Sequence, residues 1–181
     1  MILTGQEIIN EIENGRIWIS PFDRGRIQPN SYDFKLGSRL LRYTAPVLDV
    51  SSDNPFESID IPQTGYILQP NTLYLGHTLE IMGSDTYVPI IHGRSSVARL
   101  GLFIHVTANL IDIGSKNQWT LQLHAVQPLR IYSGMWIGQV TFWCVQGKVT
   151  LYGGKYQNSM GPCSSRSFLE FRKGASDSAE R

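Results

Sequence analysis

One helical period opens the chain, and many strand periods follow it. Thr4 and Glu7 spell the T-x-x-E capping box, in which each side chain reaches a free amide of the first turn; Ile8, Ile9 and Ile12 then recur at helical spacing. Gly15 supplies a stop, so the pattern predicts a short amphipathic helix over about residues 5–14. After it come short runs rich in β-branched and aromatic residues, at 16–20, 33–37, 40–44, 65–69, 72–81, 87–93, 102–108, 119–126, 129–134 and 138–145. Pro, Gly, Asn and Ser separate them. Many short strands with frequent turns predict a mainly β fold of jelly-roll or β-barrel-like form. The interruption is Gly93 to Gly101, whose glycines bracket one or two turns of a short internal helix, with Val97, Leu100 and Leu102 able to face the core.

The run around Gln122 alternates cleanly. Trp119, Leu121 and Leu123 point one way, while Thr120, Gln122 and His124 point the other. Whether the polar row faces a pocket or water is left open by periodicity.

Length and charge narrow the field. A chain of 181 residues fits one domain, read here as 1–173, with a polar, small-residue tail at 174–181 expected to be flexible. The net charge of +1, from 16 Lys+Arg against 15 Asp+Glu, and the lack of a basic run argue against nucleic acid as a partner; phosphate recognition must be local. Cys144 and Cys163 are too far apart for a C-x-x-C metal pair; one disulfide is open, but free thiols in a reducing cytoplasm are the better reading. The start MILTGQEIIN lacks the charged and apolar regions of a signal peptide, and no apolar run approaches the ~20 residues that span a bilayer. The expectation is a soluble cytoplasmic protein without a membrane partner. His77, His92, His105 and His124 do not fall at metal-ligand spacings, and His124 shares the Gln122 face. Trp18, Trp119, Trp136 and Trp143 are assigned to the core or to subunit interfaces.

Three places offer chemistry. In Gly93–Gly101, a helix would put Ser95 and Arg99 on one face, with Ser96 and Arg94 beside them; amides, hydroxyls and guanidinium groups together make a phosphate cradle. The same residues equally describe a Ser-capped helix with solvated arginines. Between His105 and His124, Asp112 sits in a turn and reads either as a base or as a turn cap. From Tyr152 to Pro162, the Gly, Lys, Tyr and Asn content suits a flap over an anion, or a loose loop.

Taken together and in this order, these segments resemble the dCTP deaminase family and its relative, the trimeric dUTPase. The match runs from MILTGQEI to about Arg166 and includes PNSYDFKLG, GRSSVARLGL, HVTA followed by Ile111 and Asp112, and GKYQN. The resemblance implies a distorted jelly roll assembled as a homotrimer with shared active sites, and zinc-independent hydrolysis of dCTP to dUTP and ammonia. The zinc deaminase signature H-x-E…P-C-x-x-C is not in the chain. It also implies that Arg94, Ser95, Ser96 and Arg99 belong to the phosphate and catalytic shell and that the Ala108 backbone reads the pyrimidine edge. Tyr152, Lys155 and Asn158 of the flap would hold a triphosphate whose charge is shared with Mg²⁺. Asp112 falls at the position of the dUTPase carboxylate that orients water. Ligands so implied are dCTP or dUTP, with dTTP as an inhibitor.

The same resemblance puts the general base, a Glu, at Gln122. Deamination needs a group that takes a proton from water and delivers protons to N3 and the leaving amine. A carboxylate cycles this way and a primary amide does not, at a cost of ~10²–10⁴-fold in rate. Either a Glu has been replaced to trap substrate, or the chain has diverged. The alternatives are a dUTP diphosphatase or bifunctional deaminase-diphosphatase using Asp112, and a catalytically silent dNTP-binding regulator. Asn109-Leu110 stands where His-Arg is expected, Ser159 where a Gln is expected, and Asn117 where a turn glycine is expected, Asn being the next residue most tolerant of positive φ.

Overall fold

The computed structural model describes residues 1–172, so the tail from 174 lies outside the described residues. Helix α1 spans Gly5–Glu13; the Thr4 hydroxyl accepts from the Glu7 amide at 3.3 Å, and Gly15 adopts φ 71° just past the end. Strands follow in the order β1 (Ile17–Ser20), β2 (Ile27–Gln28), β3 (Ser31–Lys35), β4 (Arg39–Tyr43), β5 (Phe56–Asp60), β6 (Tyr66–Leu68), β7 (Tyr74–His77), β8 (Ile81–Ser84) and β9 (Tyr87–Gly93). A single turn of helix, α2 (Ser95–Ala98), leads into β10 (Leu102–Phe103), β11 (Lys116–Asn117), β12 (Thr120–Ala125), β13 (Leu129–Ile131) and β14 (Trp136–Cys144).

The fold is mainly β, as the turn-rich pattern predicts. Its two larger sheets run β2-β3-β14-β9 and β10-β12-β7-β4-β5, with β1-β8-β11 and the β13-β6 pair beside them. Among the described residues every sheet keeps free edges, so the chain does not close into a barrel. Tyr32 and Phe34 of β3, Phe142 of β14, Tyr74 of β7 and Leu123 of β12 are fully buried and belong to one continuous core.

Several local expectations change. The 72–81 run breaks into β7 and β8, because the Thr78 hydroxyl donates to the Glu80 carbonyl and accepts from the Trp119 amide, turning the chain at that point. The 102–108 run yields β10 alone and then becomes a loop. Strand β5 answers to no predicted run; it is an edge strand whose Glu57 and Asp60 pair with Arg42 and Arg39 of β4, so its charges mask the alternation. Leu100 is exposed rather than core-facing, because α2 stops at Ala98 and Gly101 turns the chain at φ 78°. Asn117 is not at positive φ; it lies buried in β11, its Nδ2 on Ser115 Oγ and its Oδ1 accepting from the Ser159 amide. Of the tryptophans only Trp119 is buried: Trp18 and Trp136 sit under cations, and Trp143 is partly exposed. Among the described residues no helix is long and apolar enough to cross a membrane.

Candidate functional site

Strand β12 divides its side chains as predicted. Leu121, Leu123 and Ala125 enter the core, while Thr120 and Gln122 line a cavity of about 570 Å³, a size typical of small-molecule sites. His124, on the same face, leaves the cavity and packs against Phe103 with ring centroids 6.3 Å apart. The Gln122 amide N–H donates to the Ile104 carbonyl at 2.9 Å. Its Oε1 accepts from the Val106 N–H at 3.3 Å, which fixes the loop leading to Ala108. Ala108 and Asp112 line the same cavity from that loop. The Asp112 carboxylate caps no amide and joins no ion pair among the described residues, so nothing supports its reading as a turn cap.

The wall opposite is built by the C-terminal segment. The Tyr152 amide donates to the Ile113 carbonyl at 2.8 Å, the Ser159 amide to Asn117 Oδ1 at 3.1 Å, the Gly161 amide to Gln118 Oε1 at 2.7 Å, and the Cys163 amide to Thr120 Oγ1 at 3.0 Å. Gln157 bridges across, its Nε2 donating to the Gly114 carbonyl and its Oε1 accepting from the Lys116 amide. Gly114 must be glycine: it holds φ 89°, and a Cβ there would lie 2.8 Å from that of Leu151. Tyr152 and Tyr156 line the cavity, but Lys155 and Asn158 do not. Lys155 pairs with Glu170, which holds its ammonium above the usual range, and exposed Asn158 makes the turn at φ 60°. Gln118, Gln157 and Tyr156 escaped the sequence reading as wall builders. Backbone hydrogen bonds by glutamine leave no periodic signal, although GKYQN contains two of the three.

The Gly93–Gly101 segment stands elsewhere. Ser95, Ser96 and Arg99 are exposed and line no part of the cavity, so within one chain the predicted phosphate cradle is not brought to Gln122. The Ser-capped alternative also fails, since Arg94 occupies the N-cap and no side chain caps the turn. Arg94 is held from two sides. Its Nε lies 3.3 Å from Asp33 Oδ2, and its guanidinium carbon lies 5.5 Å from the Trp136 ring centroid. Asp33 is buried; burial raises its carboxyl pKa, while Arg94 and Arg26 pull it down. Cys144 and Cys163 are both free thiols.

A family model described as dCTP deaminase-like matches residues 2–145. The chain belongs to the dCTP deaminase-like family. Within it, a protein of Clostridium beijerinckii named dCTP deaminase, dUMP-forming, is 45% identical over 174 residues, covering 96% of this chain and 100% of that protein. A protein of the same name from Leptospira biflexa is 41% identical over 174 residues, 96% of this chain and 99% of its own. Among solved structures, a 2′-deoxycytidine 5′-triphosphate deaminase from Agrobacterium tumefaciens superposes with a TM-score of 0.62 at 21% identity, covering 78% of this chain and 47% of that one. That likeness speaks for the fold alone.

Proposed function

We propose that the cavity beside β12 binds a pyrimidine deoxynucleoside triphosphate and that this chain keeps the family's nucleotide site while lacking its deamination base. With Glu at position 122, water adds at C4 of dCTP and ammonia leaves, giving dUTP. The observation that carries the reading is that Gln122 and Asp112 line one cavity. The two halves of a dUMP-forming reaction need a proton shuttle at 122, for deamination, and a carboxylate that orients water, for release of diphosphate; only the second is present, as Asp112. Gln122 cannot shuttle protons, so dCTP is bound without turnover. Asp112 remains competent to direct water at a phosphate, so dUTP is the nucleotide this chain can still convert, to dUMP and diphosphate. A silent dNTP-binding regulator is the second reading, favoured by the same amide at 122.

Arg94, Ser95, Ser96 and Arg99 line no part of their own cavity, which supports a homotrimer in which a neighbouring copy supplies them to the phosphates. Lys155 and Asn158 would then act at the rim. Mg²⁺ would arrive on the triphosphate and neutralise part of its charge. Of the two cavity aspartates, Asp49 already binds Ser51 and Ser52, leaving Asp112 to meet the water shell of the ion.

The test measures ammonia and pyrophosphate separately for this chain and for Gln122→Glu, each with dCTP and dUTP in Mg²⁺. Ammonia from dCTP only in the Glu variant, with pyrophosphate from dUTP in both, is the expected outcome. Tight binding with no product from either protein would favour the regulator, and a monomer by light scattering would defeat the shared site.

A further inference from the structure

Trp136 lies outside the cavity and outside the segments singled out in the sequence, yet it stands at the centre of a cationic cluster. The Arg26 guanidinium carbon is 4.0 Å from its ring centroid, that of Arg94 is 5.5 Å away, and Lys35 Nζ is 5.7 Å away. The backbone explains the meeting. Gly138 pairs in register with Gly93, the residue before Arg94, and the Arg94 amide donates to the Ile137 carbonyl at 3.3 Å. The strand bulges between Trp136 and Gly138, turning the first residue of β14 toward the Arg94 side chain. Gly138 has to be glycine, because a Cβ would lie 2.3 Å from the Phe34 ring.

We propose that Trp136 is a positioning residue for triphosphate recognition: its ring, with Asp33, holds Arg94 in the orientation that grips phosphate. This rests on the reading of Arg94 as a phosphate contact. Arg94 spends Nε on Asp33, and its two terminal nitrogens make no hydrogen bond among the described residues. Those two nitrogens form the fork that matches two phosphate oxygens. An arginine fixed before the ligand arrives loses less rotamer freedom on binding. The indole face attracts guanidinium groups electrostatically, and it lets Arg26 and Arg94 share one surface despite their like charge. Arg26 is itself anchored, its Nε 2.7 Å from Asp23 Oδ2, so it forms the fixed side of the stack.

Titration calorimetry with Mg-dCTP and with dCMP on Arg94→Ala, Trp136→Leu and Trp136→Phe tests this. The readout is the ratio of triphosphate to monophosphate affinity, which a purely structural role would leave alone. Arg94→Ala should collapse that ratio. Trp136→Leu should lower it about three- to thirty-fold, and Trp136→Phe, which keeps an aromatic face, should restore it to within about three-fold of the parent. If Arg94→Ala leaves the ratio intact, or the parent itself does not bind dCTP, the phosphate reading of Arg94 fails and the proposal falls with it. If Arg94→Ala collapses the ratio while Trp136→Leu only lowers the melting temperature, the proposal alone is overturned.

Discussion

The Cys163 amide donates to Thr120 Oγ1 at 3.0 Å, fastening the segment that walls the cavity to the strand that carries Gln122. The cavity floor and its wall are therefore one hydrogen-bonded unit. Thr120→Val removes the acceptor while keeping the shape of the side chain. The segment from 152 to 167 should then open more often, by about 0.5–1.5 kcal/mol of local stability. Limited proteolysis of the native protein should cut there sooner, with the global melting temperature little changed.

Glu11 ties α1 to Arg16, just before β1, and to Tyr87 at the start of β9. Its carboxylate is buried and hydrogen-bonded by Arg16 and by the Tyr87 hydroxyl, the latter at 2.8 Å. The Arg16 hydrogen bond leads in lowering its pKa from 4.5 to about 2. A depressed folded pKa means the stabilisation is complete above about 4.5 and drains away as pH falls toward 2. Urea titrations at pH 6, 4 and 3 should show the advantage of the parent over Glu11→Gln shrinking at each step.

Arg94→Leu should show the same pH trend for a different reason. It strips Asp33 of the cation that offsets its burial, so the carboxyl pKa climbs further above the unfolded value. The loss of stability should be largest near neutral pH, about 1–3 kcal/mol given that Arg94 is partly solvated, and should diminish as acid protonates Asp33. Adding Asp33→Asn to Arg94→Leu should recover much of it at neutral pH; no recovery in chemical denaturation would show that the pair is not coupled.

The architecture was readable where residues speak through period. The Thr4 cap of α1 and the alternation of β12 both appear in the structure, whereas the reciprocal half of the capping box does not, because the Glu7 carboxylate accepts from Asn10 Nδ2 instead. Strand β5 was not readable, since it is held by backbone pairing with β4 along its whole length and its charges break the apolar alternation. Leu100 misled because helical spacing was extended past a helix that ends after a single turn. At the site, motif order located Gln122, Asp112, Ala108 and Tyr152 on one cavity. Sequence order could not reveal that Ser95 and Arg99 face elsewhere, because direction in space is set by the β9–β14 register and not by spacing along the chain.

Substitutions on adjacent residues of β12 should have very different effects. Leu121→Ala deletes buried contacts and should cost about 2–5 kcal/mol in equilibrium unfolding. Gln122→Ala should lose no more than about 1 kcal/mol, since it forfeits one 3.3 Å hydrogen bond at a half-buried position.

That contrast has an evolutionary meaning. A pleated strand with its odd positions committed to the interior and Thr120 and Gln122 turned to the cavity separates foldability from reactivity residue by residue. Exchange at 122 is scarcely felt by the forces that keep the polypeptide intact, so the side chain there can change in a single step and leave a well-folded chain.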